Sequence, residues 1–426
     1  MNDISDLNNR PSLRAYLVYA LAAAFLFYEM ALQASPSVMT HSLMRDLSLD
    51  AAGLGVMASF YFYSYTFMQI PAGLLFDRYN ARILITLAVF VCSLGAFFFG
   101  TTTTATLAAS GRFLMGVGSS FAFISVLVIA ARWFPVRYFA FLVGVAQLLA
   151  AVGAMGGEVP LAAAVTHFGW RQTITFLSLI GFVLTVLIWL VIRNQPKTTL
   201  NKVMPPVEGV VKSLQHIMGS SQTWWVALYA FCSWAPITAF AELWGVPYLM
   251  TVYHISNTLA ATAIAMTWLG LGIASPILGW LSDRLGLRGA LLGTCAGLGL
   301  ITTVLILYIP YLPLSLMFVL LFGFGIATAG QILTFAIVKD NNKPSVTAAA
   351  MGFNNMAVVA GGALFQPLVG ILLRQYWEGS MYNNVQVYSA HSYRIALIVI
   401  PLCFFIAWIV SAFFIKETYC KPKFTE

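Results

Sequence analysis

The chain has 426 residues, of which 60% are apolar, 14% aromatic and only 8% charged. Soluble domains carry about 25% charged residues, so this much apolar surface needs lipid as its solvent. The five cysteines show no paired or metal-ligand spacing, and the formal charge of +8 is spread without a run of five like charges. This argues against a disulfide framework, a metal centre and a nucleic-acid surface.

Runs of about 20 apolar residues, enough to cross ~30 Å of hydrocarbon as a helix, recur along the chain. They lie near 16–38, 51–75, 82–101, 105–130, 138–165, 171–193, 224–252, 256–281, 288–309, 313–338, 345–373 and 393–415. Strand-like alternation is absent, so helices rather than a barrel satisfy the backbone. The first run passes 20 residues without a small-residue cleavage site and reads as a retained span. Of the 22 Lys and Arg residues, all but Arg45, Arg112, Arg171, Arg374 and Arg394 fall on one side of this arrangement. The positive-inside rule then places both termini in the cytoplasm and explains the net charge as topology.

The break at 194–223 contains Pro205 and Pro206 and divides the spans six and six. The expected organisation is an N-terminal bundle over 1–193, a cytoplasmic linker over 194–223 and a C-terminal bundle over 224–426. Within the linker, Val207, Val210, Val211, Leu214, Ile217 and Met218 recur at helical spacing opposite Lys212, Ser213 and Gln215. That pattern predicts a short amphipathic helix on the membrane surface, with an irregular linker as the alternative.

The two halves repeat. GLLFDRYNAR at 73–82 matches GWLSDRLGLR at 279–288, LMGVG at 114–118 matches LFGFG at 321–325, and Gly156, Gly157 and Pro160 match Gly361, Gly362 and Pro367. Parallel repeats of this kind place a substrate site near the midplane between the halves. On these residues the chain resembles the major facilitator superfamily over essentially its whole length. The most specific string is Gly73-x-Leu75-x-Asp77-Arg78 with Arg82, repeated as Gly279-x-Leu281-x-Asp283-Arg284 with Arg288. Asn80 departs from the glycine usual there, whereas Gly286 keeps it. The resemblance implies an all-α membrane protein of twelve transmembrane helices in two pseudo-symmetric six-helix bundles, resident in a bacterial inner membrane. It also implies gating roles for these residues: the glycines permit close helix approach, and the charges pair at the cytoplasmic face in one state and separate in the other.

Ionisable groups inside a span are costly enough to be functional candidates. Glu29, Arg112, Glu158 and Glu242 stand out in the first, fourth, fifth and seventh spans. In the family, helices 1, 4, 7 and 10 line the central cavity, and the tenth span offers Gln331. Gln33 follows Glu29 by one turn, and Trp234 shares a face with Glu242. Tyr61 and Tyr65 repeat at four-residue spacing along the second span, while Asn355 and Gln366 lie on one face of the eleventh. These are the candidate substrate-binding residues. Arg112 has Glu158 on the next span or a substrate carboxylate as available partners, with a structural hydrogen bond to a neighbouring helix backbone as the alternative. Low-dielectric surroundings disfavour a charged carboxylate, the condition for carrying a proton, which makes Glu29, Glu242 and Glu158 the candidate proton-coupling groups. Glycines at 144, 153 and 157 resemble the helix-5 pattern of family antiporters, but Glu158 replaces the expected proline; close helix packing explains them equally well.

Metal-ligand runs, a nucleophile elbow and a Walker loop are absent from the sequence, so no enzyme and no cofactor is expected. One arginine against three carboxylates suits a zwitterion better than a polyanion. The expected activity is therefore proton-coupled uptake of an amino acid, short peptide or similar small metabolite by alternating access, in a monomer. A carboxylate siderophore or organic anion comes second. Export of drugs or other small molecules by proton antiport is third, and a nutrient receptor without flux is the remaining alternative.

Overall fold

The computed structural model describes residues 11–192, 217–383, 385–421 and 423. The predicted amphipathic helix lies mostly outside these residues. Helix α1 (Leu13–Ala34) starts where Ser12 accepts a hydrogen bond from the Ala15 N–H, and it ends at Pro36 in a 3₁₀ turn, Ser35–Met39. A short turn of helix, Thr40–Asp46, follows. Next come α2 (Ala51–Arg78), capped by Asp50, α3 (Ala81–Thr101), capped by Asn80, and α4 (Ala105–Trp133), interrupted between Ser119 and Ala122. Helices α5 (Val136–Phe168) and α6 (Trp170–Val191) complete the first half.

The second half contains α7 (Ser221–Tyr253), with a π turn at Phe240–Trp244, α8 (Asn257–Leu285) and α9 (Gly289–Tyr308). It closes with α10 (Leu314–Asn341), broken at Gly330 and Gln331, α11 (Pro344–Gln375) and α12 (Ala390–Phe414). A two-residue antiparallel pair, β1 (Met381–Tyr382) with β2 (Val385–Gln386), sits in the loop before α12. Gly286 ends α8 at φ +65°, the left-handed position that suits glycine.

Eleven of these segments are long and apolar enough to cross a membrane by their own composition. The other long helix, α2, is diluted by Ser59, Tyr61, Tyr63, Ser64, Tyr65 and Gln69. Its place in the bundle comes from packing against α4 and α11. Burial separates inner from outer helices: 83% of the α7 window is buried against 28% of that of α6. The pairings α1–α5, α2–α4, α3–α4 and α3–α6 reappear six helices later as α7–α11, α8–α10, α9–α10 and α9–α12. The main contacts across the halves are α2–α11 and α5–α8, which exchange into one another under the same relation.

Glycine sets how near the halves come at the face opposite the termini. A Cβ on Gly55 would stand 2.4 Å from the Gln366 carbonyl, and one on Gly370 would stand 2.3 Å from that of Ala51. Asn257 Nδ2 donates to the Val38 carbonyl (2.8 Å), the Tyr388 hydroxyl accepts from the Ala51 N–H (3.1 Å), and Arg374 lies 3.5 Å from Asp50. Towards the termini, the cross-half bond from Asn355 Nδ2 to Gln69 Oε1 measures 2.6 Å. Beyond it, among the described residues, Gly73 and Gly279 have nothing within 4 Å of an added Cβ. In this conformation the tight glycine contacts lie elsewhere.

Candidate functional site

Regular helices have no spare backbone groups, so irregular ones expose them. Helix α1 ends in a 3₁₀ turn, α4 and α10 are broken, and α7 carries a π turn. Pro36 has no N–H, so the Leu32 carbonyl loses its helical donor. Arg112 Nη1 donates to that carbonyl at 3.0 Å, together with the Ser35 hydroxyl at 2.8 Å. In the same way, Gln366 Nε2 donates to the Thr238 carbonyl (2.9 Å) just before the π turn of α7, while its backbone carbonyl accepts from Trp244 Nε1 (3.2 Å).

The Tyr61 hydroxyl reaches Glu29 Oε2 at 2.8 Å and Gln33 Oε1 at 3.1 Å, and Gln33 Nε2 donates to Glu242 Oε1 at 2.8 Å. This string crosses from α1 and α2 in one half to α7 in the other. Tyr65 stacks on Tyr61 with centroids 5.8 Å apart, and the Arg112 guanidinium lies 4.6 Å from the centre of the Tyr61 ring. Glu29 and Arg112 are each 1% exposed and Glu242 is fully buried. Burial at this depth normally demands partners, yet among the described residues Arg112 Nε, Arg112 Nη2 and Glu242 Oε2 have no hydrogen-bond partner. A buried guanidinium with two unbonded nitrogens has the geometry that can pair with a carboxylate.

Glu158 stands apart from Arg112. Its Oε2 accepts from the Ser37 hydroxyl (3.0 Å), and Trp268 adjoins it. Glu158, one of the partners open to Arg112 in the sequence, is not hydrogen-bonded to it; Arg112 makes the helix-backbone hydrogen bond instead, to the Leu32 carbonyl. Trp234 packs half-buried against the core, and Gln331 is buried at the α10 break with Nε2 unpartnered; neither makes the hydrogen bonds of the Glu29 string. Asn355 joins the halves through Gln69, and Gln366 braces α11 on α7. Residues not singled out from sequence are Ser37, Trp268 and the Leu32 carbonyl. The signal for the last was Pro36, four residues on. Gly153 and Gly157 press on the Phe27 and Ala31 carbonyls, so these two glycines serve α1–α5 packing.

At the face carrying the termini, Arg288 lies 3.1 Å from Asp340 and 3.8 Å from Asp283. The N–H groups of Arg288 and Gly289 donate to the Glu417 carboxylate at 2.9 and 2.7 Å. Partial burial pushes the Glu417 carboxyl upward, but four backbone N–H groups, those of Arg288, Tyr419, Gly289 and Thr418, outweigh it and hold the group below the usual glutamate range. Arg284 lies over the Trp280 ring and Arg82 over that of Trp189. The side chains of Asp77 and Arg78 lie outside the described residues.

The profile of the Major Facilitator Superfamily matches residues 19–367 and 245–424. The probable galactarate/D-glucarate transporter GudP of Bacillus subtilis (strain 168) is 30% identical over 216 residues, 46% of this chain and 44% of its own length. The match thus spans under half of that relative. The protein of the same description from Escherichia coli (strain K12) is 23% identical over 413 residues, 87% of this chain and 89% of its own. Among solved structures, a bacterial homolog to the human lysosomal transporter Spinster, inward-facing and unoccupied, superposes with a TM-score of 0.80 at 15% identity, covering 96% of this chain and 99% of that one. That likeness concerns the fold alone. With the paired six-helix bundles and the family profile across nearly the whole chain, the protein belongs to the Major Facilitator Superfamily of membrane transporters.

Proposed function

We propose that this transporter moves a small hydroxylated carboxylate across the bacterial inner membrane together with protons, by alternating access around the layer of Glu29, Gln33, Tyr61, Arg112 and Glu242. The observation that carries this reading is Arg112, buried and with Nε and Nη2 unpartnered. A carboxylate would take both N–H groups, while hydroxyls would find Gln33, Glu242 and Tyr65. Of the substrate classes weighed from the sequence, the organic anion moves ahead of the amino acid or peptide. The sugar-acid descriptions of the relatives support that order. A zwitterion remains the second reading, favoured by the free Oε2 of Glu242, which would accept an ammonium group.

The interior sets one guanidinium, Arg112, against three buried carboxyl groups, Glu29 and Glu242 in the layer and Glu158 beside it. An arriving anion adds a further negative charge, and buried charge of one sign is costly without compensation. Proton entry with the substrate supplies that compensation. Sealing at the face opposite the termini and open surroundings at Gly73 and Gly279 fit a state that faces the side of the termini, which the Lys and Arg distribution assigns to the cytoplasm. The test is thermal stabilisation of the purified protein by sugar acids, amino acids and matched uncharged polyols at two pH values. Stabilisation by a sugar acid, stronger at the lower pH, is expected. Stabilisation by amino acids alone selects the second reading, and equal stabilisation by polyols removes Arg112 from the account.

A further inference from the structure

A cavity of about 220 Å³ opens on the face of the first half that carries the termini, lined by Asn80, Arg82, Arg132, Trp133 and Ile192 among others. Its internal counterpart in the second half is filled. Arg82 corresponds to Arg288 through the repeated loop string. Phe134 and Asn342 end α4 and α10 with nearly the same backbone angles, φ −123° with ψ 150° and 151°. Two residues before each stand Arg132 and Asp340. Ile192 and Ile415 likewise end α6 and α12, and two residues on the sequence has Asn194 in one half and Glu417 in the other.

The second half therefore sets Asp340 and Glu417 around Arg288 and the start of α9. The first half sets a second arginine opposite Arg82, and no carboxylate lines the space among the described residues. Arg132 Nη2 donates to the Phe76 carbonyl (2.8 Å), Arg82 Nε donates to that of Trp189 (2.9 Å), and Arg14 lies 5.7 Å from the Trp133 ring centre. Each guanidinium keeps further N–H groups beyond the bond named. Two cations around this space, where the sister half holds its own anions, constitute an anion site with no carboxylate of its own among the described residues. Trp133 and Trp189 suit the depth of lipid headgroups.

We propose that this cavity binds a phosphate group, that of an anionic lipid in the adjoining leaflet. The proposal does not rest on the substrate reading. The experiment follows thermal unfolding of the purified full chain in detergent with dioctanoyl phosphatidylglycerol, dioctanoylglycerol or inorganic phosphate. The lipid phosphate raises the melting temperature and dioctanoylglycerol does not; an equal rise with inorganic phosphate assigns the site to the free ion. Arg132→Asp, which copies the second half, removes the shift while leaving the unliganded melting temperature at or above that of the parent. Arg82→Gln, which keeps the fold's charge pattern closer to native, weakens the apparent affinity by about tenfold. Equal shifts with phosphatidylglycerol and dioctanoylglycerol, or an unchanged shift in both variants, overturn the proposal.

Discussion

The two halves share one plan of helix contacts but divide the chemistry unequally. In the first half, Gly116 presses on the Tyr61 carbonyl; in the second, Gly325 presses on that of Thr267. Since Tyr61 and Thr267 correspond through the loop string, this equivalence places Leu321 where the first half has Arg112. By the same logic the ring of Phe62 packs on Gly362 where Trp268 adjoins Glu158. The first half thus supplies the guanidinium and two of the three carboxyl groups, and the second answers with Glu242 and packing. At the face of the termini the relation reverses: there the second half satisfies its charges internally and the first leaves two arginines around a void. A duplicated scaffold keeps its packing glycines in both copies, whereas a binding site needs each charge once.

Several substitutions would break or sharpen this contrast. The largest effect belongs to Glu29→Gln, expected to abolish concentrative uptake in proteoliposomes while leaving exchange of substrate across the membrane intact. Equal loss of both would end its proposed coupling role. Gly116→Ala and Gly325→Ala each bring a Cβ to 2.1 and 2.0 Å of a backbone carbonyl, so both should destabilise by ~1–3 kcal/mol, read as lowered melting temperatures. Similar losses in the two halves would confirm that the scaffold is symmetric even though the chemistry is not.

Glu417→Gln is expected to cost about 0.3–1 kcal/mol through the weakened cap on α9. Glu417 is held below its unfolded value, so its contribution is present above the usual glutamate range, ~4.3, and is lost as the pH falls through the lowered folded value. The gap in stability between the parent and Glu417→Gln should accordingly shrink in acid, as chemical denaturation at pH 7 and pH 3 would show. The smallest effect is expected from Gly73→Ala and Gly279→Ala. With open space around both, the melting temperature should change by no more than ~0.5 kcal/mol allows, and a large drop would mean that the sampled state packs these glycines.

The spans, the six-and-six division and the superfamily were legible because they rest on composition and on strings repeated in sequence. The charged candidates were legible too, since Glu29, Arg112 and Glu242 are rare residue types for a span. Their partners were not. The Arg112 contact depends on a carbonyl freed by Pro36, and Gln33 reaches Glu242 only once α1 and α7 are brought together. Matching LMGVG to LFGFG pairs Gly116 with Gly323, but packing against α8 makes Gly325 the equivalent, a shift of register that a string match cannot detect.

The claim at the centre of this account is that Arg112 anchors a substrate carboxylate. The most direct measurement is counterflow of a labelled sugar acid in proteoliposomes, competed by unlabelled acid or by its uncharged amide, in the parent and in Arg112→Gln. The parent should prefer the acid over the amide, and loss of a charge-assisted pair should cost that preference about 10- to 100-fold in the variant. An undiminished preference for the acid in Arg112→Gln would contradict the account.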